Sequence, residues 1–220
     1  MEKSRWWSVL IPSIVVLNLV GLGKAIESPQ YAVVHEESDF EVRLYVNSTW
    51  ISAPVFQLSF EKSTLHGFHR LFQYTQGANL NYSRIAMTAP VVTSIVPGAG
   101  PFRSSAFVVR FYLPVKFQAD PPVPLDELHL KPYIWNSRCV AVRKFSGYAN
   151  DENVVKEAKR LAVSLSRSPW ANLTIAESNY SYSIAQYDSP FQFIGRTNEV
   201  WADVKASGAN SCKSSGIASY

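Results

Sequence analysis

The sequence predicts an α+β protein built as two similar halves, each with a pair of strands, one helix and a second pair of strands. Three observations carry this. Apolar and polar residues alternate through much of the chain, the pattern of half-buried strands. Twice the period lengthens to three and four residues, over Ser59 to Gln76 and over Asp151 to Ser166, which marks amphipathic helices. The order strand, strand, helix, strand, strand recurs on either side of a proline-stiffened stretch, "QADPPVPLDE". Two such halves bring curved antiparallel sheets together with one helix against each, leaving room for a cleft between helix and sheet.

Taken in order, "YAVVHEES" and "DFEVRLYVNSTWISAPV" are rich in β-branched and aromatic residues and read as strands. The first helix follows, with Phe60, Leu65, Phe68, Leu71, Phe72 and Thr75 at helical steps and Gly77 as its stop. Gly67 inside it is a weak point, worth up to ~1 kcal/mol against alanine. Arg84 to Val92, "RIAMTAPVV", and "SSAFVVRFYLPVKF" read as two strands joined by the turn-rich "VPGAGPF". Further strands lie around His129 to Ile134 and Cys139 to Phe145. The second helix is capped by Asn150 or Asp151, has Glu152 in its first turn, and carries one apolar stripe of Val154, Val155, Ala158, Leu161, Ala162 and Leu165. Pro169 stops it, and strands near Ser181 to Tyr187 and Glu199 to Lys205 complete the second half.

With 220 residues, 47% of them hydrophobic, the chain can bury the core of one domain of about 180 to 200 residues, which excludes a disordered protein. The net charge of +4 is scattered rather than clustered, so no nucleic-acid surface is expected. Residues 1–25 stand apart: Lys3 and Arg5 precede an apolar run from Val9 to Val20, and Gly23 and Ala25 place small residues before a cut. This reads as a cleaved signal peptide, with a signal anchor as the alternative. The run is shorter than the ~20 residues of a spanning helix, so no stable membrane insertion is expected. Sequons at Asn47, Asn81, Asn172 and Asn179 fit the same secretory route. The domain is therefore placed at 26–205, and the small polar residues of 206–220 as a disordered tail. Cys139 and Cys212 either pair, tying that tail down, or leave Cys139 as a small buried hydrophobe.

Candidate chemistry is sparse. Of His35, His66, His69 and His129, only His66 and His69 share an element, and no third ligand completes a metal pattern beside them. Nucleophile-elbow, zinc-protease and phosphate-loop motifs are absent, so no catalytic residue is assigned. Phe68 and Phe72, four apart with His69 and Arg70 beside them, suit a flat apolar ligand with charged edges. The same spacing equally serves a core.

The segment "RIAMTAPVVTSIVPGAGPF" resembles the K-I-x-M-T-A-P-V segment of the SOUL haem-binding protein family. Further matches follow in order: "DFEVRLY" with Trp50, "FQADPPVP", "FSGYANDENVVKEAKRL" and "YDSPFQFIGRTNEVW". They span about Gln30 to Lys205, and the signal and sequons resemble a plant secretory branch. The resemblance implies a distorted antiparallel barrel of two sheets flanked by two helices with pseudo-two-fold symmetry. It implies a shallow apolar cleft beside the first helix that holds haem or another tetrapyrrole reversibly. Carried over by position, the cofactor-binding residues are Leu65, Phe68, His69, Phe72 and Arg196, the last pairing with propionates or, alternatively, with Glu199. "AMTAPV" becomes a strand plus bend in which Met87 packs, Thr88 bonds to backbone and Pro90 shapes the strand end.

The chain departs from part of the family at Arg43-Leu44-Tyr45, where an iron-ligating histidine is expected and Leu44 cannot serve. His69 is then the candidate metal ligand, with Tyr45 as a substitute. The expected function is a non-enzymatic carrier or buffer of porphyrins, secreted or vacuolar. The alternative is an interaction or scaffold module of the same fold that has lost haem.

Overall fold

The computed structural model describes residues 26–57, 59–97, 106–171, 181–189, 192, 194–204 and 212. The predicted signal peptide, the sequons at Asn172 and Asn179 and the predicted tail apart from Cys212 lie outside the described residues. Among these residues lie nine strands and two helices: β1 (Tyr31–Glu36), β2 (Glu41–Tyr45), β3 (Ser48–Val55), α1 (Phe60–Thr75), β4 (Val91–Val96), β5 (Ala106–Tyr112), β6 (Lys131–Trp135), β7 (Arg138–Ser146), α2 (Asp151–Ser166), β8 (Tyr182–Gln186) and β9 (Thr197–Val204). Three strands rather than the expected two therefore precede α1, because "DFEVRLYVNSTWISAPV" divides into β2 and β3.

All neighbouring strands are antiparallel, and the two sheets expected of the halves join into one, in the order β1-β2-β7-β9-β8-β4-β5-β3-β6. The order carries the repeat within it. Exchanging β2, β3, β4 and β5 for β6, β7, β8 and β9 reverses the series from β2 to β6 onto itself, so the pseudo-two-fold axis passes between β4 and β8, with β1 as an addition. Continuous twist curls the sheet until its two ends meet through side chains: Tyr45 of β2 stacks on Trp135 of β6. The result is a distorted barrel with a helix outside each half.

Alternation along the strands sorts side chains into three layers. The inside of the barrel is filled by Tyr45, Trp50, Trp135 and Trp201, with neighbouring ring centroids 5.0 to 5.8 Å apart. Outside, α1 covers Ile51, Ala53, Val109 and Phe111 of β3 and β5. The second helix covers Val42, Ala141, Ile184 and Val200 with Val154, Leu161 and Leu165, and there Cys139 is joined to Cys212 in a disulfide, Cα atoms 6.4 Å apart. That settles the open pairing, and Cys212 is itself buried.

Three expectations are corrected. Val155 and Ala162 lie on the exposed side of α2, because Glu157 is buried on the packed side, where it pairs with Arg143 and Arg160. "RIAMTAP" is not a strand; β4 begins only at Val91, after a cis Ala89–Pro90 peptide. Met87 is 39% exposed rather than packed, whereas Thr88 is buried and donates to the Tyr112 carbonyl at 2.6 Å as expected.

Gly67 takes on a different meaning. A Cβ built there would stand 2.3 Å from Cγ2 of Val109 on β5. Real Cβ atoms do not approach so closely, and interiors are packed densely enough that the neighbour cannot simply yield. The helix propensity sacrificed at this position is the condition for α1 to lie flat on the sheet.

Candidate functional site

The first helix starts at Ser59, whose side chain accepts from the Lys62 amide at 3.1 Å, and the Phe60 amide donates to Asp151 Oδ1 at 2.5 Å. Asp151 is the first residue of α2, so the two helix starts meet near the pseudo-axis. The packed side of α1 consists of Phe60, Ser63, Gly67, Leu71, Tyr74 and Thr75. Immediately round the helix, Leu65 is 55% and Phe72 43% exposed, while Phe68 is half-buried and stacks on Phe72 with centroids 6.0 Å apart.

Leu65 and Phe68 open onto a groove of about 210 Å³, and Phe72 continues their stripe beyond its lining. Phe60, Glu61, Thr64, Leu65 and Phe68 form one wall; Val91 and Gln186 of β4 and β8, Tyr148, Ala149, Asp188 and Arg196 form the rest. Both halves therefore contribute. The volume falls below the ~300 to 1,000 Å³ of enclosed ligand sites, so the groove has room for only one edge or face of a large ring system.

Arg196 is 5% exposed and does not pair with Glu199. Its Nη1 donates to the carbonyls of Ser189 at 2.7 Å and Gln192 at 2.9 Å, its Nη2 to that of Asp188 at 3.4 Å, and its guanidinium lies 4.5 Å from the Tyr148 ring centroid. Only Nε, itself buried, lacks a hydrogen-bond partner among the described residues. Three of its five N–H groups are taken up by carbonyls of its own loop, and of the two left the one on Nε is buried. Glu199 is instead held inside the barrel by Arg43, whose two terminal nitrogens reach it at 3.0 and 2.8 Å, and by Tyr187 and Trp201, each at 2.7 Å. Burial alone would lower the pKa of Arg43, but its hydrogen bonds and charge attraction to Glu199 outweigh that and leave it raised.

The remaining candidates divide by position. His69 and His66 are exposed on α1, His69 one row to the solvent side of Leu65 and Phe72 and outside the groove lining. Tyr45 is buried inside the barrel, where its hydroxyl accepts from Arg43 at 3.1 Å, so it cannot reach a ring lying on α1. Leu44 points the other way, into the core under α2. Among the described residues, no group of three or more His, Cys, Asp or Glu is placed to hold a metal ion. Asn47 and Asn81 are exposed, in the β2–β3 turn and in the connection that follows α1.

Residue chemistry alone missed Glu61, Thr64, Val91, Tyr148, Gln186 and Asp188. Their signal was positional: Val91 belongs to "AMTAPV", Tyr148 to "FSGYANDENV", and Asp188 to "YDSPFQFIGRTNEVW". Stretches far apart in sequence converge on one groove.

The fold is an α+β barrel with a candidate small-ligand groove outside the sheet, against one helix. The family model described as SOUL heme-binding protein matches residues 26–203. The chain is 30% identical over 183 residues to Heme-binding protein 2 of Homo sapiens, covering 81% of this chain and 86% of that one. It is 31% identical over 163 residues to Heme-binding protein 1 of Xenopus tropicalis, covering 74% and 82%. The chain belongs to the SOUL family. Among solved structures, the EcmrR C-terminal domain shares the fold at a TM-score of 0.50 and 9% identity, over 80% of this chain and 98% of that one.

Proposed function

We propose that this protein is a non-enzymatic haem- and tetrapyrrole-binding protein, a carrier or buffer whose site is the α1 groove. The observation that carries the reading is the apolar trough that Leu65 and Phe68 line, with exposed Phe72 stacked on Phe68 beside it. Membership of the SOUL family supports the ligand class. The stripe would cover a face of the macrocycle, and His69 is the one proposed iron ligand near it. The groove stands open rather than filled by the protein's own side chains, which favours a binder over a scaffold that has lost its ligand.

Ferric haem and metal-free protoporphyrin IX titrated into purified protein are expected to give saturable shifts of their absorption bands. Phe68→Ala should weaken both by roughly fivefold to tenfold, the worth of one partly buried ring. An unchanged haem band at micromolar concentrations would overturn the reading. A shift for haem alone, abolished by His69→Ala, would make iron ligation the main term.

We further propose that the protein travels the secretory pathway to an extracellular or vacuolar destination. The apolar leader, the exposed Asn47 and Asn81 and the Cys139–Cys212 pair support this. Enzymatic removal of N-glycans from protein purified from plant cells should increase its gel mobility, and Asn81→Gln should remove part of that change.

A further inference from the structure

The proposed ligand has two chemically unlike edges, one carrying carboxylates and one apolar, and the charges of the groove discriminate between them. The groove lining carries two carboxylates, Glu61 on the first turn of α1 and Asp188 after β8. The sole cation among its described lining residues is Arg196, whose terminal nitrogens are occupied by three main-chain carbonyls and whose guanidinium stands against Tyr148. Asp188 is fixed in place, its Oδ2 accepting from the Thr197 amide at 2.5 Å. A propionate entering the groove would meet two like charges and one cation already engaged with the carbonyls of its own loop, which is unfavourable even near a surface.

Resting on the tetrapyrrole reading, we infer that Glu61 and Asp188 are specificity determinants. They orient the macrocycle with its uncharged edge inward and its carboxylates to solvent, so the groove accepts neutral, esterified tetrapyrroles at least as well as dicarboxylic ones. Apolar contact with Leu65, Phe68 and Val91 supplies the attraction in either case. The carboxylates of the ligand contribute nothing inside the groove.

Fluorescence titration of the full chain with protoporphyrin IX and with its dimethyl ester, both metal-free and in the same detergent, tests this. The ester is expected to bind as tightly as the diacid or more so. Glu61→Gln combined with Asp188→Asn, which retains an acceptor for the Thr197 amide, should tighten the diacid ~3- to 10-fold and leave the ester unchanged, an effect that shrinks as salt rises. An ester bound more than tenfold more weakly than the diacid would overturn the inference, as would diacid binding indifferent to the double variant. In both cases the tetrapyrrole reading would stand. Binding of neither ligand would overturn the two together.

Discussion

The two helices follow one plan and present opposite surfaces. Each has 16 residues, begins at a side-chain cap, Ser59 or Asn150, and packs outside one half of the curled sheet. Counted from those caps, Leu65, Phe68 and Phe72 of α1 occupy the places of Lys156, Lys159 and Val163 in α2. Backbone symmetry therefore supplies two equivalent platforms, and large apolar residues in place of two lysines make one of them the proposed ligand surface. The supports differ as well. The α2 core is fastened by Cys139–Cys212, whereas α1 is held close to its sheet by Gly67.

The largest expected effect breaks the fastening on the α2 side. The bridge closes a loop of 73 residues, and Cys212→Ser should lower unfolding free energy by ~2 to 4 kcal/mol through the entropy of the unfolded chain. Urea denaturation of the variant, and of the parent with reductant, measures this. Porphyrin binding below the transition should persist, because neither Cys139 nor Cys212 lines the groove. Equal midpoints with and without the bridge would show that both halves are held alike.

Imposing the α2 surface on α1 comes next. Leu65→Lys with Phe68→Lys removes the apolar floor and should weaken protoporphyrin binding by ~10-fold or more, while the unfolding midpoint moves little because the packed side is untouched. Retained affinity would place the ligand elsewhere.

A glycine and alanine pair sharpens the comparison at the eighth position after each cap. Gly67→Ala should destabilise by ~1 to 3 kcal/mol through overpacking on Val109, despite the gain in helix propensity. Adding Val109→Ala to that variant should make the alanine at 67 less costly than it is against valine. Ala158→Gly in α2 should cost no more than ~1 kcal/mol, the ordinary propensity difference. Gly67→Ala that stabilises would mean α1 can lift from the sheet freely.

Much of this architecture was legible in the chain. Both helices lie where the lengthened period placed them, and Asn150 caps α2 with Asn153 reaching back to its amide, because caps and periodicity are local properties. The site was half legible. Leu65, Phe68 and Phe72 could be named from one helix, yet their spacing could not say which side of it was covered. Gly67 read as a weakness because propensity is local, while its purpose lies in a valine 42 residues along the chain. Arg196 lines the groove, but its partners are carbonyls of its own loop, and the Glu199 it might have paired with is claimed from inside by Arg43.

The sequence by itself determined the element order, the twofold repeat and the candidate apolar stripe, since each follows from periodicity, capping and composition within short windows. Only the tertiary structure decided that the two halves share one sheet, that Cys139 meets Cys212, and that the groove combines α1 with Tyr148, Asp188 and Arg196 of the other half. Those outcomes depend on strand register and on which face each side chain turns to the curled sheet, and both are set by contacts between residues distant in the chain.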